Sequence, residues 1–255
     1  MKKTDTEKYQ VPSLDKALDI LEYLAQLSLP VSLSTIAKNL DKSASELFRI
    51  VNCLVRRKYI VRDQTVNAYS LSLKFFELAN SIPPFQRLVD ASVVPLIELV
   101  HDIRYSCHLS VLEGGDLVIL HEQEGLEAIN VHVKPGSRIP ASHTTSGRLL
   151  LSTLTEDILN SVLMQDSFYL QASKDEKAAI HQEIESLRGK DSIVSPSKQH
   201  PGVYDIVSIV SISRNLYSAL AAPIFQFNDN DMEFADLQKK VAGAAEKIRK
   251  TIGFD

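Results

Sequence analysis

Ser45, Arg49, Asn52 and Arg56 recur at i, i+4, i+7 and i+11, so any helix that carries them presents them on one face. Their types are those that read a major groove: Arg pairs with guanine edges or phosphate, Asn with adenine, and Ser with either. A solvated helix face could show the same strip, so the setting decides. On the same segment Leu47, Ile50 or Val51, and Leu54 make an apolar face. Lys42 and Ser43 precede it, and Ser43 with Glu46 forms the S-x-x-E start signal of a helix. Residues 38–62 carry seven Lys and Arg against two Asp and Glu, a local excess of +5. The whole chain has a formal charge of −4, but residues 1–80 hold twelve basic and nine acidic side chains, and residues 81–255 hold sixteen and twenty-three. Such a patch still attracts phosphate, because exposed charges beyond a Debye length of about 8 Å are largely screened.

The elements around this strip fit the same chemistry. Leu14, Leu18, Leu21 and Ala25, with Ala17, Ile20 and Leu24 beside them, predict a helix over Leu14 to Leu27 with Ser13 as its N-cap. Pro30 stops it, and Ser32 or Ser34 caps a second helix whose Leu33, Ile36, Ala37 and Leu40 face inward. Asp41-Lys42-Ser43 is the turn into a third helix of about Ser43 to Lys58. Two β-prone runs follow, Tyr59–Asp63 and Ala68–Leu73, around the polar turn Gln64–Asn67. Three short helices and a β-ribbon in this order predict a winged helix-turn-helix, with Arg62 and Asn67 placed to touch phosphates or the minor groove.

A second candidate site lies in the larger half. His143-Thr-Thr-Ser146 precedes Gly147 and an apolar run, and hydroxyls with free N–H groups at a helix start suit an anion or carboxylate, or serve simply as caps. His101, His108, His121, His132 and His143 resemble a metal cluster in number, but no pair has a helical i, i+4 or H-x-E-H spacing, and no metal or other cofactor is expected. His108, His121 and His132 fall on separate predicted strands. Ser195-x-x-Lys198 and Ser13-x-x-Lys16 both match a β-lactamase signature, which shows how readily chance supplies it. The acidic run Asn228–Glu233 lacks the EF-hand Gly and reads as a helix start. No catalytic residue is assigned: Ser146 with His143, and Cys107 with His108, are sequence neighbours without a third group. The rival is a hydrolase, or an interaction module without DNA binding. No run approaches about 20 apolar residues, and the N-terminus has no apolar core behind Lys2 and Lys3, so neither a membrane span nor a secretory signal is expected. Two cysteines without CxxC spacing suit a reducing cytoplasm.

Leu73–Ala79 predicts a short helix that Ser81-Ile82-Pro83-Pro84 breaks, which sets the domain joint. A helix over about Phe85–Asp102 follows, kinked or restarted at Pro95. Strands are predicted at 106–112, 117–123, 128–133, 192–197, 204–213 and 217–224, with helices near 155–165, 174–188 and 231–252. The class is α+β with an antiparallel sheet flanked by helices. The boundaries are 1–71 for the winged domain, 72–86 for the linker helix and joint, and 87–255 for the rest.

The stretches LDKALDILEYLA, LSTIAKNL, SELFRIVNCLVRRKYIVRD and YSLSLKFFELA resemble the amino-terminal domain of the IclR family of bacterial transcription regulators, most closely around Phe48-Arg49. Glu46 stands where that family often has Thr, and Lys58 where it often has Gly. PGSRIPASHTTSGRLLLS, PGVYDIVSIV and LYSALAAP resemble its later blocks, so the likeness spans nearly the whole chain. It implies a GAF-like effector-binding domain in the C-terminal half, with a pocket formed by Thr145 and Ser146 at the helix entry and Asp205 and Ser208 on the facing strand. His108 and His143 complete that candidate set. Near Arg214-Asn215 the family's usual turn Gly is missing, and Asn can take its place. The resemblance implies a ligand-responsive regulator of catabolic or metabolic genes. Its partners would be a double-stranded DNA operator, a small and acidic effector, and a second copy in a homodimer or dimer of dimers. The dimer surfaces would be the first helix and the linker helix with Phe75 and Phe76.

Overall fold

In the computed structural model the chain divides into two compact units, Met1–Ile82 and Pro83–Asp255; the residues described are 11–81, 83–213, 216–225 and 234–253. Unit one begins with α1 (Pro12–Ala25). Val11 stands at its N-cap and no side chain caps it, so Ser13 is not the cap. Pro12 takes the first turn instead, where its fixed φ and missing N–H are an advantage. Ile20 and Leu24 are buried, whereas Leu14 and Leu18 are 54% and 47% exposed, so the apolar stripe is split between core and surface.

After β1 (Val31–Ser32), α2 (Leu33–Asn39) is capped by Ser32, whose Oγ accepts from the Thr35 N–H at 3.2 Å. Asp41, at φ 51°, reverses the chain, and the Lys42 N–H returns to the Ala37 carbonyl at 2.9 Å. That left-handed turn launches α3 (Ala44–Arg56), where Ser43 Oγ accepts from the Glu46 N–H at 3.2 Å. The expected box is only half made: the Glu46 carboxylate pairs with Lys16 of α1 at 2.5 Å. Lys58, at φ 63°, ends the helix, with the Lys58 and Tyr59 N–H groups on the Val55 and Leu54 carbonyls, both at 2.9 Å, a Schellman closure made without glycine.

The wing is β2 (Ile60–Asp63) and β3 (Ala68–Leu71), with β1 added to give the order β1-β3-β2. α4 (Lys74–Asn80) follows. Ile20, Leu24, Ile36, Leu47, Val51, Leu54, Ile60 and Tyr69 form the core, so each of the three helices and the wing contributes to it.

Unit two opens with α5 (Pro83–Ile103). Pro83 and Pro84 start this helix, as N-terminal prolines can, and Pro95 lies inside it without ending it. β4 (Cys107–Glu113) and β5 (Asp116–Gln123) form a hairpin, β6 is Arg138–Pro140, and a 3₁₀ turn at Ala141–His143 leads into α6 (Thr145–Leu151). α7 (Glu156–Leu163), a short α8 (Ser167–Gln171) absent from the sequence reading, and α9 (Lys174–Leu187) follow. β7 (Ser192–Pro196), β8 (Val203–Ser213), β9 (Leu216–Phe225) and α10 (Phe234–Ile252) complete the unit. The six strands pair antiparallel in the order β6-β5-β4-β9-β8-β7.

Residues 128–133 are not a strand. β6 takes the edge of β5, and the stray segment finds its partners among side chains: Val133 N–H donates to Glu122 Oε1 at 3.0 Å, and Asn130 Oδ1 accepts from Ser106 N–H at 3.0 Å. His132 therefore sits on a loop, and the predicted three-strand arrangement of histidines does not form. Arg214–Asn215 and Asn228–Glu233 lie outside the described residues.

Alternation assigns the two faces of the sheet. Leu109, Ile206, Val210, Leu220 and Ala222 pack with Leu96 and Val100 of α5 and Val241 and Ile248 of α10. Leu117, Val207, Ile209, Ala219 and Ala221 pack with Leu149 and Leu150 of α6. The odd positions of β8 and the even positions of β4 thus face α6, and this places the second candidate site.

Candidate functional site

At about 100° per residue, Ser45, Arg49, Asn52 and Arg56 span an arc of about 60° opposite Leu47, Ile50, Val51 and Leu54. Ser45, Arg49 and Arg56 are exposed and Asn52 is half-buried, so the sequence-predicted strip is an outward face of α3. The Asn52 amide donates to the Phe48 carbonyl at 2.9 Å, and an Arg56 Nη2 lies 3.8 Å from Cys53 Sγ; both contacts are internal to the helix. Lys42 and Ser43 are exposed at its start. Phe48, absent from the predicted set, is 53% exposed beside this face.

On the wing, Arg62 Nε and Nη2 donate to Asn67 Oδ1 at 3.0 and 2.7 Å, and the guanidinium lies 5.8 Å from the Tyr69 ring centroid. Asp63 Oδ1 accepts from the Thr65 N–H at 2.7 Å and folds the tip. Arg62 and Asn67 are therefore one fixed unit rather than two independent contacts.

In unit two, His108, Thr145, Ser146 and Asp205 line one cavity of about 60 Å³. His143 and Ser208 do not. The His143 ring stacks on Phe168 with centroids 4.2 Å apart. Ser208 is three residues from Asp205, so its side chain leaves the opposite side of β8, where its hydroxyl bonds Ser192 Oγ at 2.7 Å. The cavity also takes Val131 and Val133 from the stray segment, and Ser197, Lys198 and His200 from the loop after β7, none of which is expected at this site; the sequence marks Lys198 only in the chance Ser195-x-x-Lys198 match. The one available signal was that cluster of polar side chains just before Pro201-Gly202.

Thr145 Oγ1 donates to Asp205 Oδ2 at 2.7 Å. Burial pushes the Asp205 carboxyl upward, against the Thr145 and Ser197 hydroxyls and the nearby His200 and Lys198, which pull it down. Burial lowers His108 to about 4, and its Nδ1 is buried with no hydrogen-bond partner among the described residues. The imidazole is thus neutral at pH 7 and holds one buried ring nitrogen that no described residue satisfies. Lys198 is already paired with Glu183 at 2.8 Å, and Glu183 also holds Arg148.

Gly147 makes the helix entry possible, since a Cβ there would stand 2.1 Å from the Ala141 carbonyl oxygen. Thr144 Oγ1 accepts from the Gly147 N–H at 2.9 Å and caps α6. α6 has only seven residues, so hydroxyls and ring nitrogens, not a long helix dipole, set the polarity of the cavity.

Among the described residues no group of three or more His, Cys, Asp or Glu side chains converges to hold a metal. Burial pushes the Cys107 thiol far up, so it is no thiolate nucleophile. Among the described residues no helix is long and apolar enough to cross a membrane.

Comparison with known proteins adds to this geometry. A model of the IclR helix-turn-helix domain matches residues 13–64, and one of the bacterial transcriptional regulator IclR C-terminal domain matches residues 86–250. The transcriptional regulator XynR of Escherichia coli is 22% identical over 247 residues, 96% of this chain and 98% of that protein. The probable transcriptional regulator SauR of Cupriavidus necator is 31% identical over 139 residues, 54% of this chain and 55% of its own length. Among solved structures, an IclR homolog from Microbacterium hydrocarbonoxydans complexed with 4-hydroxybenzoate superposes with a TM-score of 0.74 at 18% identity, covering 94% of this chain and 98% of that one. Thermotoga maritima IclR gives 0.72 at 18% identity, covering 95% and 98%. At these identities the structures establish the likeness of fold.

Proposed function

The chain belongs to the IclR family of bacterial transcriptional regulators, and from that premise we propose that it binds an operator through α3 and the wing and answers to a small organic acid held in unit two. The observation that carries the DNA half is the outward strip Ser45, Arg49, Asn52 and Arg56, set opposite the core and launched from the Ser43 cap. Lys42 and Ser43 at the helix start and the Arg62–Asn67 unit on the wing supply phosphate contacts.

The effector half is supported by the cavity and by the acid bound in the Microbacterium hydrocarbonoxydans homolog. Ser146 would donate its hydroxyl to a carboxylate, while the Thr145 hydroxyl stays on Asp205 and fixes that wall of the cavity. His108, neutral and unpartnered at Nδ1, would take a hydroxyl or carbonyl of the same molecule. The free space of about 60 Å³ suits roughly four to six water-sized groups, so a compact acid is favoured. The ligand shifts DNA affinity only by its differential affinity for the two functional states of the protein. Catabolic or metabolic genes would be the target.

Leu14 and Leu18 on α1, and Leu73 and Phe76 beside and on α4, are exposed and support a homodimer, with a dimer of dimers the next step. Half-sites would then lie about one helical turn, ~34 Å, apart.

The test is a fluorescence-anisotropy titration of the promoter fragment beside the protein's own gene, with and without a panel of small carboxylates. Tight binding over random duplex, shifted by one acid of the panel, is expected. Equal affinity for promoter and random duplex overturns the DNA half, and indifference to every acid overturns the effector half.

A further inference from the structure

Phe48 is the one large apolar side chain of α3 that unit one does not use for its core. It is 53% exposed, while Leu47, Val51 and Leu54 of the same helix are buried. At about 100° per residue it sits some 40° from Asn52 and 60° from Ser45. Its carbonyl holds the Asn52 amide at 2.9 Å. The ring therefore borders the strip proposed to enter the groove.

The charge around it fits one occupant. Lys42, Arg49, Arg56, Arg57 and Lys58 are exposed on the same helix or its ends. The acid of the first turn, Glu46, is tied to Lys16 at 2.5 Å. A cationic helix with one bare aromatic ring suits a polyanion that offers an apolar feature in its groove. The major groove of DNA has one such feature, the C5-methyl group of thymine, and Phe is among the side chains that contact it. A protein surface would have to be strongly acidic to be matched by the same face.

We propose that Phe48 is a specificity-determining residue that packs on a thymine methyl group in each half-site, next to the bases touched by Asn52 and Ser45. This rests on the reading of α3 as the DNA-binding helix, and it adds a preference for thymine that hydrogen bonding alone would not create. A thymine O4 and a uracil O4 are the same acceptor, so only an apolar contact tells the two bases apart.

The experiment uses the full-length protein and a duplex selected by it from a random library. Each thymine of the selected site is replaced in turn by deoxyuridine, and wild type, Phe48→Ala and Phe48→Leu are titrated against every duplex. Wild type is expected to lose affinity about fourfold per half-site at one thymine position, the worth of one buried methyl group. Phe48→Ala is expected to bind the thymine and uracil duplexes alike at that position, and Phe48→Leu to keep part of the discrimination. Circular dichroism confirms that the variants fold. The inference is overturned if Phe48→Ala retains the full preference for thymine, or if wild type is indifferent to every replacement. Failure of wild type to select any sequence is a different result: it removes the DNA-binding reading itself, and this inference with it.

Discussion

His108 should make the protein sensitive to mild acid. Its ring lies on β4 at the cavity, and burial holds its pKa near 4, against 6.5 for the free side chain. Between those two values the unfolded chain binds a proton that the folded chain refuses. Stability therefore rises with pH through this window and falls as pH drops through it. With 6.5 in the unfolded chain and about 4 in the folded one, the destabilisation is about 0.2 kcal/mol at pH 7 and about 2 kcal/mol at pH 5. The ring edge open to the cavity makes the second figure an upper value. The variant is His108→Gln, which keeps a polar side chain and removes the titration. Urea unfolding followed by circular dichroism at pH 7 and pH 5 should show wild type losing about 2 kcal/mol more than the variant. Asp205 and His121 also titrate differently in the fold, Asp205 upward and His121 downward by burial, but they are common to both proteins and cancel in the difference. Parallel losses in wild type and variant would refute the neutral, desolvated His108, and with it the unpartnered donor or acceptor assigned to the effector.

Three other outcomes follow from single residues. Lys58→Gly should stabilise unit one by about 0.5–1 kcal/mol and raise its melting temperature by a few degrees, because φ 63° strains any residue with a Cβ; a lower melting temperature contradicts the Schellman closure. Gly147→Ala should destabilise unit two by more than about 2 kcal/mol, since the new Cβ would meet the Ala141 carbonyl oxygen at 2.1 Å; unchanged unfolding would show that the helix entry yields freely. Arg49→Ala should weaken operator binding and lower the slope of log affinity against log salt by about one if its contact is to phosphate, and equal affinity and slope would remove Arg49 from the interface.

The winged unit was legible because its signals are local. Ser43 as a cap and the apolar spacing of Leu47, Val51 and Leu54 each act within one or two turns of chain, whereas Pro30 does not set the end of α1, which closes at Ala25. The errors there are errors of competition. Pro12 displaced Ser13 at the start of α1, and Lys16 drew Glu46 away from its capping role. The cavity was harder, because it is assembled from segments far apart in sequence. Thr145 and Ser146 were found from their place before Gly147, and Asp205 from the resemblance. Ser208 failed on a count of parity: three residues from Asp205 on the strand already predicted over 204–213, it must leave the opposite side. The segment 128–133 has β-prone residues, but β6 is the segment that pairs with β5, at Asp116–Val118, and Val131 and Val133 line the cavity instead.

The central claim is that α3 lies in a major groove, and guanine methylation interference tests it most directly. A bound duplex carrying N7-methylguanine blocks the major groove without touching the minor one. A dimer that presents one α3 to each half-site, as proposed, would give two clusters of interfering guanines about 10 base pairs or a multiple of that apart. Binding that is indifferent to N7 methylation at every guanine of a G-containing site, while methylation at adenine N3 in the minor groove abolishes it, would contradict the account.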